Sequence, residues 1–217
     1  MDLFSYVVRY DIGFAPNPFH GWCSLATCHE DFRGRVTVGD WVVGTGSAGK
    51  GLDGRLVYAM RVDEVVTFDD YWHDERFAAK RPVRRGSMRQ RYGDNIYYRD
   101  EDANWVQADS RHSQVDGTPN AAHIAKDTKA DAVLLARDYV YYGRSALDIP
   151  ARLRSWPGPA WTGTRFNPHQ EADYDLCMTY SGFRRHFPDD FKDAVVDWLR
   201  DLIAQGEVPN RGDPADW

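Results

Sequence analysis

Short runs of β-branched and aromatic residues, separated by turn residues, occupy most of the first two thirds of the chain. Residues 3–10 read as a strand, Asp11 to Pro18 as a turn region, and residues 22–28 as a second strand paired with the first across it. Trp41-Val42-Val43 and the longer run from Arg55 to Val66 predict a hairpin around a glycine-rich loop. Thr67 is placed to cap a short helix reaching about Ala79, with acids in its first turn. A turn at Tyr92 to Asn95 enters a strand, a polar tip spans Asp100 to Asn104, and Trp105-Val106-Gln107 returns. Residues 109–130 are polar and irregular, longer than an idle loop normally is. Val133–Ala136 and Tyr139–Tyr142 are further strand-like runs, and a short helix is expected near Pro150–Arg154. After Pro157-Gly158-Pro159, sustained helical spacing appears in Phe191, Val195, Trp198, Leu199 and Leu202, with Pro188 in front and Gly206 behind.

The sum is an α+β chain with a bent, barrel-like, mainly antiparallel sheet, a few flanking helices and a C-terminal amphipathic helix. One domain is expected over residues 1–217, with a core at 3–150, a helical extension at about 150–206 and a frayed tail at 207–217.

Composition narrows the classes. The 217 residues are 42% hydrophobic and 28% charged, an ordinary globular balance. Aromatics reach 14%, enough to fill a core and still leave stacking surfaces for bases. A net charge of −6 excludes a protein that coats nucleic acid by bulk electrostatics. Against that background Lys80, Arg81, Arg84, Arg85, Arg89 and Arg91 form a local basic arm, which either follows a nucleic-acid backbone or is a solvated loop. Cys23, Cys28 and Cys177 form no disulfide framework, so a reducing compartment, the cytoplasm, is expected. No leader and no run of membrane-spanning length is read.

Four polar clusters are candidates for chemistry. Arg9, Asp11 and Asn17 lie at the end of the first strand, with Asn17 stiffened by a proline on each side so that its amide can read a base edge. Cys23 and Cys28, five apart, fall on opposite faces of a strand; they make a poor metal site and read as buried thiols. The loop Gly44 to Gly51 holds four glycines in eight positions with Thr45, Ser47 and Lys50, and reads as a pocket wall or a solvent-exposed turn. It is no phosphate-binding loop of the GxxxxGK[ST] kind, because a strand follows it. The fourth joins Asp94 and Asn95 with Asp109 and His112, the last two spaced to share a turn as an acid/base pair. No metal-ligand spacing and no cofactor signature is present.

The stretches Tyr6–Cys28, Val38–Ser47, Leu56–Trp72, Tyr92–Tyr98 and Asp109–Ser113 together resemble the family called nucleotide modification associated domain 2, over about residues 3–150. That resemblance implies association with systems that modify DNA bases, often in phages and bacteria, and brings no assigned reaction or catalytic residues. The paired strands from Val38 to Val66 also look like those of PUA-like modules, including EVE and ASCH domains, which present a pocket to a nucleobase. Three readings follow. The first is a protein that binds a base, nucleotide or DNA through Arg9, Asp11, Asn17, Thr45, Ser47, Lys50, Asp94 and Asn95. The second is an enzyme using Asp109 and His112, and the third a non-catalytic interaction module.

Overall fold

The computed structural model describes residues 1–157, 173–177 and 182–206. Its strands are β1 (Leu3–Val8), β2 (Cys23–Leu25), β3 (Trp41–Gly46), β4 (Arg55–Arg61), β5 (Glu64–Val66), β6 (Tyr97–Arg99), β7 (Trp105–Gln107), β8 (Val133–Ala136), β9 (Tyr139–Tyr141), β10 (Leu147–Asp148), β11 (Trp156–Pro157), β12 (Asp173–Tyr174) and β13 (Phe183–Arg184). The helices are α1 (Glu30–Arg33), α2 (Phe68–His73), α3 (Met88–Arg91), α4 (Ala121–Asp127) and α5 (Asp189–Ala204). The expected tail at 207–217 lies outside the described residues.

The larger sheet runs β10-β4-β3-β1-β13, with β9 also paired to β4; a second sheet runs β2-β8-β5. β1 is parallel to β3, and the other pairs are antiparallel. One bent ribbon joins the sheets. Met60 faces Tyr139 in the first and Glu64 faces Leu135 in the second. Across the bend, Arg61 N donates to Asp138 O at 2.9 Å and Asp63 N to Leu135 O at 2.8 Å. The ladder therefore continues through the kink, which accounts for the single long strand expected at 55–66. No closed barrel forms among the described residues, so the barrel-like expectation is met only by this bend, and the PUA-like resemblance is not confirmed.

Residues 22–28 do not pair with β1 as expected. β1 has β3 on one edge and β13 on the other, and the shorter β2 pairs instead with β8, Cys23 facing Ala136. Period-two alternation separates two cores. Leu3, Trp41, Val43 and Ala59 pack on one face beneath α5, which buries Phe191, Val195, Trp198, Leu199 and Leu202. Phe4, Tyr6, Val42, Tyr58 and Met60 face the other way, toward Leu25, Phe32 and Leu134. Thr67 caps α2 by accepting from Asp70 N, as read from the sequence.

A polar node holds the loop between β1 and β2. Lys80 Nζ donates to Asn17 O at 3.0 Å, Asn17 Oδ1 at 2.7 Å and Ser24 Oγ at 2.9 Å. Asp94 accepts from Ser24 Oγ at 2.7 Å and Tyr71 OH at 2.9 Å. Burial lowers the Lys80 pKa to about 8, with Asp94 opposing the fall. Each buried charge thus has its partners, the condition under which such groups are tolerated.

The glycine-rich segment begins as the end of β3, through Gly46, and continues as a 3-10 turn at Ala48–Lys50. A Cβ on Gly44 would overlap the Tyr58 ring, and one on Gly46 would overlap the Leu52 backbone. These glycines therefore admit neighbouring protein groups, and no ligand is needed to explain them. Gly44→Ala is expected to lower stability by about 1–3 kcal/mol, as overpacking does. Gly49→Ala, whose added Cβ would meet nothing nearer than Ser47 Oγ at 3.7 Å, should leave it nearly unchanged. Urea denaturation of the two variants measures the contrast.

Candidate functional site

A cavity of about 640 Å³ opens where the C-terminal end of β1 meets the turn after β2 and α4. Tyr6, Tyr10, Phe14 and His29 supply aromatic walls, Arg9, Arg111 and Lys126 supply cations, and Glu30 and Asp31 supply carboxylates. Cys28 and His112 both line it. Its volume lies within the range of small-molecule sites, roughly 300–1,000 Å³.

Three side chains distant in sequence form a relay there. Cys28 Sγ lies 3.9 Å from His112 Nε2, and His112 Nδ1 lies 2.5 Å from Asp127 Oδ2. Tyr97 OH donates to the same carboxylate oxygen at 2.8 Å, while Cys28 N donates to Asp127 Oδ1 at 3.1 Å. Gln107 Nε2 donates to Tyr97 OH at 3.0 Å and to His112 O at 3.3 Å. The Phe14 ring meets the imidazole edge-on, 4.8 Å between centroids. A nucleophile, a base within reach and a third group orienting that base is the pattern of an activated thiol.

Local sequence explains the placement. Asn120 caps α4 by accepting from Ala122 N and His123 N, setting His123 and Asp127 four apart on one face. Cys28 and His29 adopt left-handed backbone, φ 58° and 51°, which is uncommon for residues other than glycine. Arg33 holds this turn, donating from Nε to Cys28 O at 2.7 Å and from Nη2 to Asp127 O at 2.6 Å.

Electrostatics favours an ionised pair. Burial pulls the His112 pKa down, but its hydrogen bonds to Asp127 and Cys28 outweigh this and raise it to about 9. Burial pushes Asp127 up, yet the bonds from His112 and Tyr97 bring its carboxyl below the usual value. His29 is different: burial, with Arg33 and Lys126 nearby, lowers it to about 4 and keeps it neutral. The other two cysteines are buried, which pushes each up to about 12 and leaves them inert as nucleophiles.

A metal is the other use for this corner, since ligand atoms of His112, His123 and Asp127 lie within 4.8 Å of one another. His112 and Asp127 are already committed, however. His112 Nδ1 and Asp127 Oδ2 share a proton at 2.5 Å, and both carboxylate oxygens accept further protein hydrogens. The set fits a proton relay better than an ion.

The residues singled out from the sequence are dispersed. Arg9 and His112 line the cavity. Asp109 does not serve His112; it pairs with Arg84 at 3.3 Å on the surface, and Asp127 takes its place because α4 brings that carboxylate to the ring. Asn17 is fully buried, donating to Gly13 O and Tyr92 O at 3.0 Å each. Asp11 accepts from Tyr141 OH, Asp94 belongs to the Lys80 node, and Asn95 donates to Tyr71 O at 2.8 Å. Thr45 Oγ1 is spent on Tyr6 O, Ser47 precedes a single 3-10 turn, and Lys50 Nζ sits 5.5 Å from the Tyr10 ring. The glycine-lined stretch is therefore not a wall of this cavity, contrary to the sequence expectation.

The basic arm divides as well. Lys80 is internal, and Arg81 donates to Trp72 O and stacks on its ring. Arg85 is exposed, and Arg89 lines a separate cavity of about 390 Å³ with Phe19 and Arg137. Arg84 and Arg91 line a cleft beside the thiol cavity. Missed from the sequence were the half-buried position of Cys28 beside His112 and the gathering of Asp127, His123, Tyr97 and Arg111 around them; the Asn120 cap with acid and imidazole in register was the one signal available.

No helix among the described residues is long and apolar enough to cross a membrane. Searches of curated proteins and of solved structures find no match. The family model described as nucleotide modification associated domain 2 matches residues 1–217, and the chain belongs to that family.

Proposed function

We propose that this protein is a thiol enzyme of nucleotide modification, acting on a group carried by a base or nucleotide, with Cys28 as nucleophile, His112 as acid/base and Asp127 as its orienting carboxylate. The observation that carries the reading is the hydrogen-bonded series Cys28–His112–Asp127 at the edge of the 640 Å³ cavity. The family relates the chain to nucleotide modification, and the aromatic walls suit a flat substrate, with Arg9, Arg111 and Lys126 outnumbering Glu30 and Asp31 among the lining charges.

The reaction class is acyl transfer or hydrolysis. The step starts with the proton already on His112 Nε2, as its raised pKa requires, and the Cys28 thiolate adds to an sp2 carbon of the substrate. The π electrons move to the attached oxygen and return to expel the leaving group, which takes the proton from Nε2. A thioester remains. His112 then removes a proton from water or an acceptor amine, which attacks the thioester carbon and releases Cys28. Asp127 stays ionised throughout, holding the ring by Nδ1 and stabilising imidazolium.

Iodoacetamide should alkylate Cys28 selectively, leaving Cys23 and Cys177 unmodified by mass spectrometry. His112→Ala should slow that labelling by roughly tenfold or more near neutral pH. Equal labelling of all three cysteines, or labelling indifferent to His112, would leave a protein that binds bases without chemistry.

The pH dependence has a definite sign. A folded-state pKa of about 9 for His112 means its proton stabilises the fold below the unfolded value near 6.5, and this is lost as pH rises through about 9. Asp127, depressed, contributes above its unfolded value and loses that contribution as pH falls through its folded one. The melting temperature of the wild type should therefore drop more steeply than that of His112→Gln between about pH 7 and about pH 10.

A further inference from the structure

The cleft beside the thiol cavity is about 260 Å³ and is lined by Ile12, Arg84, Arg91, Tyr92 and Arg111. Ile12 and Arg111 also line the thiol cavity, so the two spaces adjoin. Every charged group lining the cleft is a guanidinium.

Their partners are few. Arg84 Nε pairs with Asp109 Oδ1 at 3.3 Å, and its terminal nitrogens donate to Ser110 O at 3.5 Å and Val115 O at 3.3 Å, which fixes its direction. Arg91 and Arg111 have no carboxylate within ion-pair distance among the described residues. Tyr92 is held by Asn17 Nδ2, which donates to its carbonyl at 3.0 Å and ties this wall to the buried node. Three like charges around one small space repel one another, and an anion with several acceptor oxygens relieves that repulsion. Guanidinium forks match phosphate oxygens in particular.

We infer that this cleft is a phosphate subsite, and that the substrate of the thiol site carries a phosphate ester. It would sit with its reacting group toward Cys28 and its phosphate past Ile12 between Arg91 and Arg111. This rests on the thiol-site reading for its account of the substrate, while phosphate binding itself does not. The free base is then a poor ligand. Of the six cations in the basic arm, Arg84 and Arg91 serve this function; Lys80 and Arg81 are structural.

Calorimetry on the full chain tests the subsite with a deoxynucleoside, its 5′-monophosphate and a single-stranded oligodeoxynucleotide as probes. The monophosphate, the oligonucleotide or both should bind at least about tenfold tighter than the nucleoside. Preference for the oligonucleotide places the phosphate in a nucleic-acid chain; comparable binding of the monophosphate places it in a free nucleotide. Arg91→Gln with Arg111→Gln should remove most of the advantage and flatten its salt dependence, whereas Arg85→Gln should not. Circular dichroism confirms that each variant is folded. Equal affinity for nucleoside and phosphate-bearing probes, or an advantage that survives the double substitution, overturns the inference. Binding is read on unreacted protein, so it fails or stands separately from iodoacetamide trapping of Cys28.

Discussion

A buried guanidinium organises the candidate site. Arg33 is fully buried, with Nε on Cys28 O, Nη2 on Asp127 O, and Nη1 on Ala130 O and Ala132 O. Taking that charge out of water is costly, and four carbonyls arranged around it offset the cost. They belong to two segments about a hundred positions apart: the turn after β2, and the stretch from the end of α4 toward β8. By satisfying one cation, both segments are fixed against each other, and with them the thiol and the carboxylate. The left-handed conformations of Cys28 and His29, each worth on the order of 1–3 kcal/mol of strain, persist because the turn is held from both sides. Arg33 Nε takes the carbonyl of Cys28 and Asp127 takes its amide.

The same geometry separates the three cysteines. Cys23 lies inside β2 and Cys177 against α5; both are buried, neither is hydrogen-bonded through its sulfur to a histidine among the described residues, and burial pushes both thiols far above neutrality. Cys28 is half-buried, opens on a cavity and faces an imidazole that stays protonated to about 9. Composition alone cannot make that distinction, since all three are free thiols. Burial and a neighbour make it.

Much of the fold was legible because periodicity reports local burial. The spacing of Phe191, Val195, Trp198, Leu199 and Leu202 located α5, and the cap at Thr67 located α2, since both depend on contacts within a few residues. Pairing partners were not legible. β2 joins β8 across more than a hundred residues, and nothing local at Cys23 encodes that choice. The site failed for the same reason. His112 was found, but proximity in sequence favoured Asp109, whereas the relay uses Asp127, delivered by a capped helix. Asn17, Asp94 and Asn95 looked like readers of a base because they are polar in turn-rich sequence. Burial turned them into supports for the fold. Glycine was ambiguous in the same way, because the room it leaves at position 44 is filled by Tyr58.

The acidic net charge and the basic arm are reconciled by how the arm is distributed. A contiguous run of six cations would attract any polyanion, and the fold breaks this one up, leaving Arg84, Arg85, Arg89 and Arg91 exposed. It draws Lys80 and Arg81 inward, sends Arg89 to a separate cavity, and turns Arg84 and Arg91 toward Arg111. The cleft lined by Arg84, Arg91 and Arg111 is thereby a local cationic spot on a chain of net charge −6. On the proposed reading this is how a protein of net charge −6 would select a phosphate-bearing substrate at one place: a few guanidiniums, poorly neutralised and facing a shared cleft, outweigh a distant excess of carboxylates that solvent and salt screen within about 10 Å.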